Sequence, residues 1–373
     1  MKKIFKKSLL LFLALILLLA GCGTDSSSDA DSSNGSEGVS IDGVPERFAE
    51  GESVNIKVIR KIGGDDHTAQ FLAGAKEEGE SLGFNVDTYT ANGDTASFHD
   101  TIQQAIQDPN LDGVIISHGD DDATYNAVQE LVDAGKKVVT FDSIEELTEI
   151  EGVTVTSQDD AALAELALNK LKEEVGEEAN IVYLWVDGFP PMVRRNAVYE
   201  KFLEENPGIN EIDRFGVATA DTSVETQNAV AAMLDKYPEG EIDAIFATWD
   251  AFAIGATRAI KEAGRDDVKL YGIDVSNADL QLMMEENSPW KYTAAVDPKL
   301  IGAVNMRIMA KKLAGEDTPE TYDLEASLIS QEELQASGEA VNMENLQNIV
   351  EGWGVSDAFL EPWMETLKEH YSN

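Results

Sequence analysis

The sequence predicts an α/β protein built from two doubly wound domains, each with a parallel sheet. From residue 54 onward, short apolar runs alternate with segments of helical periodicity, each about 10–15 residues long. The apolar runs contain few polar residues, as expected of strands that helices cover on both faces. About 320 residues follow the amino-terminal segment, which is too long for one ordinary core and fits two domains.

The first half of this pattern predicts four strands connected by helices. The strands read VNIKVI, FNVDTYT, GVIIS and KKVVTFD. The helices read AQFLAGAKEEGESLG, a segment around FHDTIQQAIQD that ends before Pro109, and ATYNAVQELVDAG. Glycine or proline closes each helical pattern, which is typical of a helix end. Units of this kind favour right-handed crossovers and parallel pairing of the strands.

A second series begins at Asp159 with the helical pattern AALAELALNKLKEEVG. The strands that follow read ANIVYLWV, IDRFGVA, AIFATW and VKLYGIDV. Helices between them are predicted up to about Glu205, over VETQNAVAAMLDKY and over AFAIGATRAIKEAG. Because the same alternation occurs twice, we expect a second sheet of the same kind, with a cleft between the two domains.

The amino terminus has the features of a secretion signal. Four lysines within the first seven residues precede an apolar run from residue 9 to 20, which is shorter than the ~20 residues of a membrane-spanning helix. The run ends in Leu19-Ala20-Gly21-Cys22, which resembles the lipobox of bacterial lipoproteins. That resemblance implies a signal peptide at 1–21 and a lipid on the Cys22 sulfur; the alternative is an uncleaved anchor helix. Residues 22–52 are then a flexible acidic linker, since a Ser/Asp/Gly-rich segment cannot bury enough apolar surface to fold.

The cysteine count and the net charge exclude several classes of function. Cys22 is the only cysteine, so the folded part has no intrachain disulfide, cysteine nucleophile or cysteine metal site. The net charge of −42 repels polyanions, so we expect no nucleic-acid partner. The four histidines show no paired ligand spacing, and we expect neither a metal site nor a cofactor.

Polar stretches follow several of the predicted strands at their carboxyl ends, where open α/β sheets bind ligands. These stretches are residues 61–68, 117–120, 142–143, 187–192, 249–250 and 274. They are rich in carboxylates and include aromatic residues. Ionised side chains form short, strong hydrogen bonds with sugar hydroxyls, and aromatic rings pack against apolar sugar faces. The pattern therefore favours a neutral, polyhydroxylated ligand.

Four stretches of the sequence, in this order and spacing, resemble the ribose- and galactose-type periplasmic sugar-binding proteins of ABC importers. They read LDGVIISHGDDDATYNAVQELVDAGKKVVTFDS, AIFATWDAFAIGATRAIKEAG, VKLYGIDVSNADLQLM and TAAVDPKLIG. The resemblance covers nearly all of the chain from Val54 to about Ser330. It implies the fold of the type I periplasmic binding proteins, in which three crossovers of the chain form a hinge between two lobes.

In the first domain, the resemblance implies ligand contacts from the loop after the first strand and from the end of the fourth strand. The residues at these positions are Lys61, Asp65, His67, Thr68, Asp142 and Ser143. Ser143 stands where the ribose-binding pattern has an arginine.

In the second domain, the resemblance implies ligand contacts at three further positions. Arg195, in preference to the adjacent Arg194, matches an arginine early in the first helix. Trp249 stands where the family has an amide, and Asp274 matches the aspartate of the family's G-[FI]-D pattern. The family's glutamine before the last crossover corresponds to Val296, which Asp297 follows.

The resemblance also implies where the domains begin and end. Crossings of the chain near Thr156, Val296 and Leu324 give a first domain of 53–156 plus 297–323. The second domain is 157–296 plus 324–373, and its final segment from residue 331 is expected to pack on that domain. The implied mechanism is hinge closure around one ligand, which a membrane permease with a separate ATPase then receives. We expect a monomer that the lipid holds outside the cell membrane.

Two other classes of function remain open from the sequence. The same fold can present a sugar-like signal of the autoinducer-2 type to a membrane sensor, and the sequence does not separate that role from transport. An extracellular hydrolase would need paired carboxylates, but the sequence shows no nucleophile elbow, histidine-based triad or metal cluster. We therefore expect a binding protein and not an enzyme.

Overall fold

The computed structural model describes residues 40–49, 52–64, 66–219 and 221–372. Its strands, in chain order, are β1 Asn55–Arg60, β2 Asn85–Thr90, β3 Gly113–Ser117, β4 Lys137–Phe141, β5 Val153–Gln158, β6 Ala179–Leu184, β7 Ile209–Phe215, β8 Ala244–Ala247, β9 Lys269–Ile273, β10 Trp290–Ala295, β11 Thr321–Leu324 and β12 Ser327–Ser330.

The α-helices, in chain order, are α1 Asp66–Ser81, α2 Thr95–Gln107, α3 Asp122–Asp133, α4 Asp160–Val175, α5 Pro190–Glu205, α6 Thr222–Lys236, α7 Asp250–Ala263, α8 Asn277–Met284, α9 Pro298–Ala314, α10 Gln331–Ala336 and α11 Pro362–Tyr371. Short 3₁₀ turns occur at Glu46–Phe48, Glu145–Glu149 and Leu346–Asn348. In the described residues, no helix is long and apolar enough to cross a membrane.

The strands form two six-stranded sheets. The first has the order β11-β5-β4-β3-β1-β2 and the second the order β12-β10-β9-β8-β6-β7. Pairing is parallel except at the edge of the second sheet, where β12 runs antiparallel to β10. The chain passes from the first sheet to the second after β5 and after β11, and it returns after β10. The predicted α/β class with two doubly wound sheets is confirmed.

Helices cover both faces of each sheet. We define the first lobe as the first sheet with α1, α2, α3 and α9, and the second lobe as the second sheet with α4 to α8. The central strands are almost completely buried, as in β3, whose five residues are all buried. Side chains at the helix starts accept hydrogen bonds from otherwise unpaired backbone N–H groups. These capping residues are Asp94, Asp121, Asp159, Ser276 and Asp297.

One apolar cluster is continuous from lobe to lobe. It contains Ile115 and Phe141 of the first sheet together with Ile181 and Tyr183 of the second, all of them fully buried. The far face of each sheet has a separate cluster, under α2 and α3 in the first lobe and under α6 and α7 in the second. Each sheet is therefore buried on both sides, which explains the nearly uninterrupted apolar runs of the sequence.

The carboxyl-terminal segment, residues 331–372, contacts both lobes. Its first half packs on the second lobe, where Trp353 is 2% exposed and belongs to the same apolar cluster as Leu270 of β9. Its second half packs on the first lobe, where the Trp363 ring stacks on Phe48 with 5.1 Å between ring centroids. Arg307 of α9 also donates a 2.8 Å hydrogen bond to the Ser356 carbonyl oxygen. Packing on the second domain, as expected for the whole segment, therefore holds only for its first half, because the apolar face of α11 lies against the first lobe.

Candidate functional site

The carboxyl ends of strands from both lobes meet at a group of charged side chains. Asp142 follows β4 of the first lobe, and Asp274 follows β9 of the second. Asp160 begins α4, directly after the chain leaves the first sheet, while Arg194 and Arg195 lie in the first turns of α5. We call these five residues the interlobe cluster. Strand ends supply two of the three carboxylates, as the ligand-site rule for open α/β sheets leads us to expect, the start of α4 supplies the third, and α5 supplies both cations.

Arg195 is the centre of the interlobe cluster. Its side chain is 1% exposed, and its Nε donates a 2.8 Å hydrogen bond to Asp160 Oδ1. Nη1 and Nη2 each donate a 3.1 Å hydrogen bond to one oxygen of Asp274. Nη1 also donates to the Thr248 carbonyl oxygen at 2.6 Å. A buried guanidinium is stable only when its donors are paired in this way, and the bidentate contact fixes its plane.

Arg194 connects the two lobes. Its Nε donates a 2.8 Å hydrogen bond to Asp160 Oδ2, and its Nη2 lies 2.6 Å from the same oxygen. Nη2 also donates a 3.2 Å hydrogen bond to Asp142 Oδ1 in the first lobe. A second contact between the lobes joins α1 and α8, where Asp66 accepts hydrogen bonds of 3.0 and 2.8 Å from the backbone and side-chain nitrogens of Asn277.

The backbone at three strand ends adopts the left-handed region. The φ angles are 63° at His118, 48° at Asp142 and 74° at Asp274. Few residues other than glycine adopt such angles, although aspartate and histidine tolerate them better than most. Conformations of this kind concentrate at ligand sites, where the surrounding structure holds a side chain in a defined direction. The observed geometry therefore supports a functional role for these strand ends.

Burial and neighbouring charges shift the pKa values of three groups in the interlobe cluster. Burial and the charge of Asp160 raise the pKa of Asp142 to about 7, although Arg194 opposes the shift. Burial also raises the pKa of Asp160, against the effect of Arg195 and Arg194. For Arg195, burial lowers the pKa, but the carboxylates of Asp274 and Asp160 outweigh it and raise the pKa overall. Arg195 thus keeps its charge, whereas Asp142 can change its charge near neutral pH.

On the first-lobe side, a buried arginine holds the residues after β1. Arg60 is 2% exposed, and its Nε donates a 2.9 Å hydrogen bond to Thr68 Oγ1. Nη1 donates a 3.0 Å bond to Ser117 Oγ, and Nη2 lies 3.1 Å from His67 Nδ1. Two of the residues predicted to contact the ligand, His67 and Thr68, are therefore held in place by a cation that the sequence reasoning missed.

Lys61 and Ser143 are both buried within the first lobe. Lys61 Nζ makes ion pairs with Asp120 and, at 3.0 Å, with Asp121. Ser143 is 1% exposed, and its Oγ accepts a 3.2 Å hydrogen bond from the Gly119 backbone nitrogen. Their contacts tie together the loops that follow the first, third and fourth strands.

Trp249 lies at the end of β8, directly before α7, and is half-buried. Its ring packs edge-to-face on Phe252, with 5.6 Å between centroids. Asp65 and the predicted lipidation site Cys22 lie outside the described residues. In the described parts of the chain, no group of three or more His, Cys, Asp or Glu side chains could hold a metal ion.

Sequence reasoning missed Asp160 and Arg60, and each had a usable signal. Asp160 follows a second aspartate at the start of a predicted helix, and only one of the two is needed as the helix cap. Arg60 is a cation in the last position of β1, directly after the buried Val58 and Ile59. A charged residue that cannot reach water from a buried strand end needs a partner nearby.

A cavity of about 540 Å³ lies away from the interlobe cluster. Residues of α1, the start of α9 and the carboxyl-terminal segment line it, among them Glu77, Asp297 and Trp353. None of the described residues that we predicted to bind the ligand lines this cavity. We therefore place the candidate site at the strand ends, where open α/β sheets bind ligands, and not in this cavity.

Comparison with known proteins agrees with the fold. A family model described as a periplasmic binding protein domain matches residues 56–317. The ribose import binding protein of Escherichia coli is 24% identical over 262 residues, which cover 69% of this chain and 83% of that protein. The ribose import binding protein of Bacillus subtilis is 24% identical over 261 residues.

Solved structures with higher identity share the fold over most of the chain. A sugar ABC transporter protein from Yersinia enterocolitica is 47% identical with a TM-score of 0.83, covering 89% of this chain and 100% of that one. A 5-methylthioribose transporter solute-binding protein from Thermotoga lettingae is 32% identical with a TM-score of 0.79, covering 85% and 99%. The resemblance stated from the sequence is confirmed. Because the family model spans most of the chain and its relatives bind solutes for transporters, the chain belongs to the periplasmic binding protein family and is a binding protein, not an enzyme.

Proposed function

We propose that this chain captures a small neutral sugar or polyol between its two lobes and delivers it to an ABC importer. The observation that carries the proposal is the interlobe cluster, where carboxylates and guanidinium groups from the two lobes lie within 3.2 Å of one another. The names of the relatives support the ligand class, since they include ribose import and 5-methylthioribose transporter binding proteins.

The chemistry of the interlobe cluster suits hydroxyl groups. A hydroxyl both donates and accepts hydrogen bonds, so one sugar hydroxyl can accept from a guanidinium and donate to a carboxylate. Three carboxylates, those of Asp142, Asp160 and Asp274, accompany two guanidinium groups. A sugar acid or sugar phosphate would add negative charge to a cluster that already has more acids than bases. The balance therefore favours a neutral ligand.

We propose hinge closure as the mechanism of capture. The lobes would correspond to the domains 53–156 plus 297–323 and 157–296 plus 324–373, with residues 356–372 of the second set attached to the first lobe. The contacts of Arg194 with Asp142 and of Asp66 with Asn277 join the lobes. A ligand that replaces part of these hydrogen bonds with its own hydroxyls would stabilise the closed form.

We also propose that the protein works outside the cytoplasm as a monomer, tethered through a lipid on Cys22. Membership of a periplasmic binding protein family supports the compartment. The lipobox-like segment before Cys22 supports the tether. Such a tether would keep the binding protein close to the permease and its separate ATPase, which raises the effective concentration of the two partners.

Thermal unfolding of the purified chain with candidate ligands tests the proposal. The panel would contain ribose, 5-methylthioribose, hexoses, polyols, ribose 5-phosphate and a sugar acid. A ligand at ~100 times its dissociation constant adds about 2.7 kcal/mol of stability, which raises the midpoint by about 5 °C in a protein of this size. We expect such a shift with at least one neutral sugar or polyol.

The control for this experiment is a matched pair of substitutions. Asp274→Asn removes a carboxylate that binds Arg195 through two oxygens, and we expect the ligand-induced shift to be lost. Asp267→Asn removes a carboxylate that also binds an arginine, Arg265, through both oxygens, with two hydrogen bonds of 2.9 Å. This pair lies outside the interlobe cluster. That variant should keep the shift. A shift only with the phosphate or the acid would contradict the neutral-ligand proposal.

A further inference from the structure

Asp160 occupies an unusual position for a charged residue. It is the first residue of α4, at the connection where the chain passes from the first sheet to the second. Its side chain is 0% exposed, so no ligand can reach it without displacing the groups around it. A buried carboxylate in this place destabilises the fold unless it is fully paired.

The partners of Asp160 are the two adjacent arginines. Oδ1 accepts a 2.8 Å hydrogen bond from Arg195 Nε. Oδ2 accepts a 2.8 Å hydrogen bond from Arg194 Nε and lies 2.6 Å from Arg194 Nη2. The carboxylate of Asp160 thus binds the Nε edge of both guanidinium groups. Its Oδ1 binds Arg195 and its Oδ2 binds Arg194.

The remaining donors of the two arginines point to other carboxylates. Arg195 Nη1 and Nη2 bind Asp274, and Arg194 Nη2 binds Asp142. Because a guanidinium is planar, fixing its Nε edge also fixes the directions of its Nη donors. Asp160 therefore determines how the two arginines meet the carboxylates at the strand ends of both lobes.

We infer that Asp160 is a positioning residue of the ligand site, which presents Arg194 and Arg195 in the orientation that the ligand requires. This inference rests on the proposed function. In this structure Asp160 is 0% exposed and contacts the two arginines, so its contribution is made through them. Asp160 lies at the connection between the lobes, and the Arg194–Asp142 hydrogen bond joins them. The orientation of the two guanidinium groups is therefore linked to the arrangement of the lobes. In this arrangement both Asp142 and Asp274 can contact a ligand.

The test compares ligand affinity in single and double variants, with calorimetric titration of the neutral sugar or polyol that binds the wild-type protein. Asp160→Asn keeps the shape of the side chain but removes its charge and one acceptor oxygen. We expect its dissociation constant to rise at least about tenfold, while circular dichroism shows a folded protein. Asp267→Asn, at the separate arginine pair, should bind as the wild type does.

The double variant separates positioning from an independent effect. Arg194→Lys keeps the positive charge, at a side chain that is 37% exposed, but removes the planar group that Asp160 holds. If Asp160 acts through Arg194, the losses of affinity in the two single variants will not multiply in the double variant. Wild-type affinity in folded Asp160→Asn would overturn the inference, and full multiplication would overturn the part of it that acts through Arg194.

Three outcomes are distinguishable. If Asp160→Asn does not fold, Arg194→Lys alone decides, since a lysine that binds as tightly as the arginine would show that the fixed orientation is not needed. If the wild-type protein binds no sugar or polyol, the proposed function fails, and with it the inference. If the wild-type protein binds and Asp160→Asn binds equally well, only the positioning role fails.

Discussion

His118 is a histidine at a strand end with cations on several sides. It follows β3, and its Nδ1 lies 2.8 Å from Ser117 Oγ. Burial lowers its pKa well below the usual value of 6.5, and the charges of Arg60, His67, Arg195 and Lys61 act in the same direction. The folded protein therefore keeps this imidazole neutral under conditions in which the unfolded chain would already bind a proton.

We predict that His118 makes the folded protein less stable in mild acid. Below about pH 6.5 the unfolded chain binds a proton that the folded form does not, so this contribution falls as the pH decreases. The slope is at most about 1.4 kcal/mol per pH unit. Urea unfolding of the wild type and of His118→Asn at pH 7 and pH 5 measures it, since the variant should lose less stability between the two.

The raised pKa of Asp142 has the opposite effect, since it stabilises the folded protein as the pH decreases. This contribution is present in both the wild type and His118→Asn, so it cancels when their free energies of unfolding are compared. His370→Asn is the matched control, because His370 is exposed on the last turn of α11. If the wild type and His118→Asn lost the same free energy of unfolding between pH 7 and pH 5, the prediction would be contradicted.

At the same residue scale, the sequence located part of the site and missed the rest. Asp142 and Asp274 were recognisable, because each follows an apolar strand at the edge where ligands bind. The structure brings both to the interlobe cluster, but their ligand-binding role stays a prediction. Asp160 could not be linked to Arg194 and Arg195, since a contact over more than 30 positions leaves no spacing pattern in one sequence. Lys61 was predicted to contact the ligand, and the structure pairs it with Asp120 and Asp121, which one sequence could not show.

At the scale of elements, α1 and α9 pack unusually closely. A Cβ atom on Gly302 of α9 would lie 2.1 Å from the Phe71 carbonyl oxygen of α1. One on Gly74 of α1 would lie 1.9 Å from the Lys299 carbonyl oxygen. The two helices therefore meet backbone to backbone, and only glycine fits at these positions.

We predict that Gly302→Ala destabilises the protein, although alanine is the better helix former. The added methyl meets backbone that cannot move alone, so we expect a loss of about 1–3 kcal/mol in the free energy of unfolding. Gly79→Ala is the matched control, because its methyl would meet side-chain atoms of Val86 and Met306, which can shift. Urea unfolding should show the larger loss for Gly302→Ala; equal stability of the two variants would contradict the close packing.

The sequence predicted the class of these elements better than their number. Four strands were expected in each domain, whereas each sheet has six. The missed strands include β5, which reads VTVTSQ, and the four-residue edge strands β11 and β12. Short or alternating strands carry too few apolar residues to stand out, and tertiary pairing decides their structure. The antiparallel edge strand β12 had no local signal for its direction.

At the scale of the whole molecule, buried arginines lie where the lobes meet, inside a strongly acidic protein. The sequence has 70 acidic and 28 basic residues, so the surface as a whole is strongly negative. Arg60 at the end of β1 and Arg194 and Arg195 of α5 nevertheless lie at the junction of the lobes, and Arg60 and Arg195 are almost completely buried there. An acidic exterior keeps the protein soluble and repels polyanions, while the buried arginines balance the carboxylates of the interlobe cluster.

The carboxyl-terminal segment is a further link between the lobes, in addition to the three passages of the chain between the sheets. Trp353 anchors its first half in the second lobe and Trp363 its second half in the first. Trp363 stacks on Phe48, and its Nε1 donates a 2.8 Å hydrogen bond to Glu316. Any rotation of one lobe against the other must therefore be accommodated between these two anchors, in the stretch that contains the exposed Val355.

We predict that Trp363→Ala releases only the second half of this segment. Loss of a buried tryptophan costs about 3–5 kcal/mol, which should detach α11 from the first lobe before the protein as a whole unfolds. Hydrogen exchange followed by mass spectrometry should then show fast exchange in residues 356–371 and unchanged protection in residues 331–353. Val355→Ala, at a side chain 67% exposed, should leave both halves protected. If both halves lost protection together in Trp363→Ala, the segment would be one cooperative unit, and the two anchors could not act independently in the hinge motion that we propose.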